Sequence, residues 1–158
     1  PGSWREVMRA HGIAWDSVEL DEGEAIPALD GYDALISMGG PMDVFDIAEH
    51  PWLAAEKAAI LQAVQERGMA FLGACLGHQL LAEALGGKVG RMAVPEVGLM
   101  TVSLSAAGKV DPLFQGLDET LSCLQWHGCE IQAPPEACEI LASSPACATQ
   151  AVRMGQRA

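Results

Sequence analysis

The sequence predicts an α/β domain: a mostly parallel sheet with helices on both faces, in three α/β/α layers. Two observations carry this. Short apolar runs that end in glycine, at 32–38 and 69–72, alternate with segments of helical period at 51–67 and 77–85. That rhythm of strand, helix, strand, helix is what a parallel sheet with crossover helices requires. A third observation marks a change. From Val97 onward, short strand-like runs follow one another with turns between them.

Taken in order, Ser3-Trp4-Arg5-Glu6 fits a capping box and predicts a helix running to about Gly12. Ala14 to Leu20 alternates weakly and is read as a strand, and the acidic stretch Asp21 to Pro27 as a loop. Tyr32 to Met38 is a buried strand running into the tight loop Gly39-Gly40-Pro41. Pro51 to Arg67 is a helix, with Trp52, Leu53, Ala55, Ala59, Ile60, Ala63 and Val64 at helical spacing and Gly68 as its stop. Met69 to Leu72 is the next strand, and Gly77 to Leu85 the next helix, ended by Gly86-Gly87. Strands are expected at Val97–Leu104, Thr120–Trp126, Glu139–Ala142 and Ala148–Met154, with no helix among them. All 158 residues are expected to form one domain.

Composition narrows the function classes. With 9 basic and 21 acidic residues the net charge is −12, which argues against a nucleic-acid backbone or an anionic membrane as partner. No apolar run approaches the roughly 18 residues of a membrane span, and no secretory leader is visible. Five cysteines, an odd number without metal-like spacing, read as reduced thiols and a cytoplasmic setting. No Gly-rich phosphate loop of the nucleotide-binding type is present, and neither a metal nor a cofactor is implied.

The segment that carries chemistry is Phe71-Leu72-Gly73-Ala74-Cys75-Leu76-Gly77-His78-Gln79. Apolar residues lead in and a helix leads out, so Cys75 sits at a sharp strand-to-helix turn with glycines two residues to either side. This is the geometry of a nucleophile elbow, with sulfur in place of a serine oxygen. The following helix directs its N-terminal N–H groups and positive dipole end at the sulfur, which favours the reactive thiolate. A buried, inert cysteine between glycines is the alternative. Gln79 lies one helical turn beyond Cys75, placed either to face the same pocket or to sit on the helix surface. His78 points elsewhere, and His11 and His50 are read as surface residues.

Gly73-Ala74-Cys75-Leu76-Gly77-His78-Gln79 resembles the nucleophile motif of the class I glutamine amidotransferases. Gly39-Gly40-Pro41 is similar to that family's oxyanion loop, and the resemblance continues through Pro95-Glu96-Val97-Gly98 and Gln125-Trp126-His127-Gly128, covering about Gly31 to Met154. It looks nearest to stand-alone proteins like the glutaminase domain of GMP synthase. The resemblance implies a flavodoxin-like α/β/α fold and Cys75 as the nucleophile. It implies the N–H groups of Gly40 and Leu76 as oxyanion donors, and Gly39, Gln79 and His127 at the glutamine site, with His127 not the catalytic base. The implied reaction is glutamine plus water to glutamate plus ammonia through a Cys75 thioester. Glutamine is then the substrate and a synthase on another polypeptide the ammonia acceptor; self-association stays open. A γ-glutamyl hydrolase of the same fold and a catalytically inactive binding module are the alternatives.

The sequence departs from the family in two ways. Its first strand and its C-terminal His-Pro-Glu motif, source of the base, have no counterpart; the expectation is that a longer protein carries both, and that these 158 residues alone are a poor catalyst. The acidic residue that often follows His-Gly is here Cys129, expected to be an inert, semi-buried thiol.

Overall fold

The computed structural model describes residues 2–158 and is α/β, in two sheets. Helix α1 (Ser3–Ala10) opens the described chain. Its cap is Gly2, and no side chain bonds its first turn. The predicted capping box does not form, because Ser3 already lies inside the helix, one position too late to reach back over the free N–H groups. Ala14–Glu19 is not a strand; Leu20–Glu22 makes a 3-10 turn instead. A strand needs a ladder partner, whereas this segment is tied by side chains: Tyr32 Oη donates to Asp16 at 2.7 Å and Arg9 lies over the Trp15 ring.

Strand β1 (Ala34–Ser37), helix α2 (Trp52–Leu61), strand β2 (Ala70–Gly73) and helix α3 (Leu76–Ala84) follow the expected alternation. The last turn of α2 widens to π geometry over Gln62–Glu66. Strands β1 and β2 pair in parallel, Ala34 opposite Ala70 and Ser37 opposite Gly73. Beyond them, the Arg157 carbonyl accepts the Phe71 N–H on the β2 edge. Leu53 and Ile60 of α2, Phe71 of β2, and Leu76, Leu80 and Leu81 of α3 are buried together and join these elements into one core.

The larger sheet corrects the expectation of mostly parallel strands. It is antiparallel, in the order β4-β3-β5-β6, from β3 (Lys88–Leu104), β4 (Thr120–Ala133), β5 (Cys138–Ser143) and β6 (Ala151–Met154). Antiparallel pairing follows from the connections: no crossover helix of the length a parallel return needs separates these strands. Strand β3 starts well before Val97. Its first part is masked in the sequence by Gly90 and Pro95, and its register against β4 shifts between Arg91 and Glu96. Helix α4 (Ala106–Val110) falls where the sequence predicts none; Ser105 caps it, accepting the Gly108 N–H at 3.0 Å. Arg153 of β6 grips the buried Asp111 after α4 with two guanidinium nitrogens, holding that carboxyl below its ordinary range.

The two sheets meet where Val89 of β3 and Cys129 and Ile131 of β4 join the α2–α3 core. The β3–β4 ribbon pairs Val97 with Trp126 and Leu99 with Leu124, all more than half exposed. Among the described residues no helix is long and apolar enough to cross a membrane.

Candidate functional site

Strand β2 ends at Gly73 and α3 begins at Leu76, leaving two residues to reverse the chain. Cys75 takes the strain of that reversal, with φ 54° and ψ −105°. A non-glycine residue there costs about 1–3 kcal/mol and persists only where its surroundings hold it. The holding contacts are specific. The Ala74 N–H donates to the Ser37 carbonyl at 2.9 Å, and the Gly77 N–H to the Ala74 carbonyl at 3.1 Å. Helix α3 rides directly on β1: a Cβ on Gly77 would overlap the Ser37 carbonyl, and a Cβ on Gly73 would lie 2.6 Å from the Gly77 backbone. Cys75 is exposed, at the head of α3, where the positive end of the helix dipole lies.

Cys75 opens into a cavity of about 350 Å³. The loop after β1 supplies one wall through Gly40, Met42 and Asp43, and the β3–β4 ribbon supplies the facing wall through Val97, Trp126 and Cys129. Gly40, Cys75, Leu76, Gln79 and His127 all line this space. Gly39 stands behind it, where a Cβ would come within 3.3 Å of that of Cys75. The residues expected at a glutamine site are thus brought to one place. Gln79 is buried, not on the surface, and its side-chain amide donates to the Cys129 carbonyl at 3.1 Å, tying α3 to β4.

His127 has both ring nitrogens engaged, Nδ1 with the Cys129 carbonyl at 2.9 Å and Nε2 with Glu96 at 3.1 Å. Glu96 is buried and is the hub of a polar network. Ser144 donates to it at 2.7 Å and Gln150 at 2.5 Å. Burying a carboxylate is tolerable only when its oxygens are satisfied in this way. The network fixes the His127 ring as a wall of the cavity.

Glu96 and Asp43 carry no role in the sequence reading. A signal for Glu96 existed: it falls on the inward phase of β3, with Val102 and Leu104. Asp43 follows the Gly-Gly-Pro loop, but nothing local announces where it points. Its Oδ1 accepts the Cys129 S–H at 3.2 Å and its Oδ2 pairs with Arg91 at 3.0 Å. Burial first, and the neighbouring Asp43 second, push the Cys129 thiol up to about 12, so it remains a donor and not a nucleophile at neutral pH. Burial raises Cys138 and Cys147 as well. All five cysteines are free.

His78 faces away from Cys75, toward a separate cleft lined by Phe71, Arg153 and Arg157. Its outer edge reaches solvent, but its Nε2 is sheltered and has no hydrogen-bond partner among the described residues. Burial, and secondarily His127, push its pKa from 6.5 down to about 4. Between those values the unfolded chain takes up a proton that the folded chain refuses, so stability falls as pH drops from about 6.5 to about 4. The half-buried Glu56, shifted upward by desolvation, works in the opposite sense above its ordinary value. His78→Gln is expected to flatten the loss. Urea denaturation of both proteins across this window checks it, and parallel curves would remove His78 as the cause.

The sequence profile described as "Glutamine amidotransferase class-I" matches residues 5–157. The chain is 35% identical over 156 residues to the glutamine amidotransferase-like protein YfeJ of Salmonella typhimurium, covering 96% of this chain and 63% of that protein. It is 33% identical over 140 residues to one subunit of the glutamine-hydrolyzing GMP synthase of Sulfurisphaera tokodaii, covering 89% of this chain and 70% of that one. Gamma-glutamyl peptidase 3 of Arabidopsis thaliana is 27% identical over 150 residues, covering 91% and 59%. The crystal structure of a glutamine amidotransferase from Thermotoga maritima superposes with a TM-score of 0.89 at 25% identity, covering 98% of this chain and 66% of that one. The chain belongs to the class I glutamine amidotransferase family. It spans about two thirds or less of several of these relatives.

Proposed function

We propose that this chain carries the nucleophile and substrate pocket of a glutaminase, which hydrolyses the side-chain amide of glutamine to glutamate and ammonia through a thioester on Cys75, with the general base supplied by the longer protein's His-Pro-Glu segment. The observation that carries the reading is the strained Cys75 at the head of α3, opening into a cavity walled by Gly40, Gln79 and His127. The Cys75 sulfur attacks the amide carbon, and the carbonyl oxygen gains the electron pair. The Leu76 N–H, at the first position of α3, and the Gly40 N–H, on the loop packed against Leu76, are the donors assigned to that oxyanion. Collapse breaks the C–N bond, and the nitrogen takes the proton released by the Cys75 thiol and leaves as ammonia. Water then attacks the thioester carbon, the C–S bond breaks, and glutamate leaves as a water proton returns to the Cys75 sulfur. His127, engaged at both nitrogens, shapes the site and does not move protons.

The similarity to GMP synthase subunits supports an ammonia-accepting synthase as partner, and five free cysteines fit a reducing, cytoplasmic setting. A second reading, cleavage of γ-glutamyl peptides without a partner, is favoured by the similarity to two plant γ-glutamyl peptidases. Both readings share the thioester and differ in what acylates Cys75.

The test is covalent trapping with a diazoketone analogue of glutamine, read by intact mass and peptide mapping. One adduct on Cys75, prevented by glutamine, is expected. Protection by a γ-glutamyl dipeptide but not by glutamine would transfer the assignment to the peptidase reading. No adduct at all would leave a binding module and overturn the enzymatic proposal.

A further inference from the structure

Among the residues lining the cavity, Asp43 is the one carboxylate. Its position is held from three sides. Its backbone N–H donates to Asp46 at 2.8 Å, anchoring the loop. Arg91 reaches its Oδ2 with Nε at 3.2 Å and Nη2 at 3.0 Å, its guanidinium resting over the Phe45 ring at 5.4 Å. Cys129, from the opposite wall, donates its S–H to Oδ1 at 3.2 Å. An ionised carboxylate oxygen offers two lone pairs, and the weak S–H donor occupies one on Oδ1. The Arg91 side chain is 71% exposed while that of Asp43 is 29% exposed. The ion pair is therefore water-screened and leaves much of the carboxylate's attraction for a cation uncancelled. Besides Cys75, the other polar side chains on the lining include Gln79, His127 and Cys129, all three already engaged.

We propose that Asp43 Oδ1 accepts the α-ammonium group of the substrate, so that the site selects γ-glutamyl compounds with a free α-amine over deaminated or N-acylated analogues. The inference rests on the glutaminase reading above and assigns it a specificity residue outside the elbow. Arg91 and Cys129 act as positioning residues. One fixes Oδ2 outward, and the other sets the rotation that leaves a lone pair of Oδ1 directed into the cavity.

The experiment is equilibrium binding by calorimetry in a Cys75→Ala background, which stops turnover, with two probes: L-glutamine and glutaramic acid, which is glutamine without its amine. Asp43→Asn is expected to weaken glutamine by at least about tenfold, the scale of one charge-assisted hydrogen bond, and to leave glutaramic acid unchanged. Unchanged glutamine binding in Asp43→Asn overturns the assignment and leaves the glutaminase reading standing. Equal losses for both probes overturn it too, since they report a damaged cavity, not a lost ammonium contact. If the protein with Asp43 intact binds glutaramic acid as tightly as glutamine, there is no ammonium selection to assign. If it binds neither, the glutaminase reading itself falls, and this inference with it.

Discussion

Cys75→Ala is expected to lower glutamate release from glutamine by at least about a thousandfold, the scale on which loss of an attacking group is felt. The fold should not change. Alanine can occupy the same φ 54° turn, and the exposed Cys75 side chain has little packing to lose. Serine should not rescue. A hydroxyl is ionised far less readily than a thiol, and His127, the cavity's histidine, is bound at both nitrogens and is not free to act as its base. The measurement is steady-state glutamate production beside a melting curve for each variant. Turnover within tenfold of the parent would place the nucleophile elsewhere, although the other thiol of the cavity, Cys129, is pushed up to about 12 and is poorly suited to the task.

The second large effect is one of packing. Gly77→Ala should destabilise the protein by about 3 kcal/mol or more, with a fall in melting temperature of roughly 6–12 °C for a chain of this size. In a solvated helix the same change would stabilise by about 1 kcal/mol through helix propensity. Here steric overlap outweighs that gain. The new methyl would overlap the Ser37 carbonyl and lie 2.5 Å from its Oγ, which already donates to Glu56 at 2.7 Å. Backbone cannot swing aside, so α3 must lift off β1 and carry Cys75 with it. Thermal melting and diazoketone labelling should therefore fail together. A variant that melts with the parent and labels at the parental rate would show that α3 does not need its close seat on β1.

The elbow was legible because its demands are local. Two glycines flanking a cysteine between an apolar run and a helix encode a backbone reversal, and the structure places those glycines where a Cβ would strike Ser37 or the Gly77 backbone. The parallel pair β1–β2 was legible for the same reason, each strand being a short apolar run with its own stop. The larger sheet was not. The first half of β3 pairs with residues far along the chain, Lys88 with Ala133 and Gly90 with Glu130, and no window of sequence contains both partners. The Ala14–Leu20 stretch failed in the opposite direction: it alternates, but among the described residues no strand pairs with it. In the site, Gly40, Cys75, Leu76, Gln79 and His127 could be named from motifs. Asp43 gains its place only from contacts across the fold, with Cys129 at a separation of 86 residues, and the role of Glu96 shows only in its bond to His127, 31 residues on.

That assembly has a consequence for how the molecule is made. The thiol-bearing turn leaves the ribosome well before the wall that faces it: Gln79 and its partner Cys129 are 50 residues apart. At common elongation rates this interval is on the order of 3–10 s. During it the β1–α3 unit can already hold Cys75 in its strained turn, since Ser37, Gly73 and Gly77 have all been synthesised. The amide of Gln79 has no carbonyl to bind, and Asp43 has no thiol to turn it. Each newborn chain therefore passes through a stage with a bent cysteine and half a cavity, and becomes selective only when the β3–β4 ribbon closes over it.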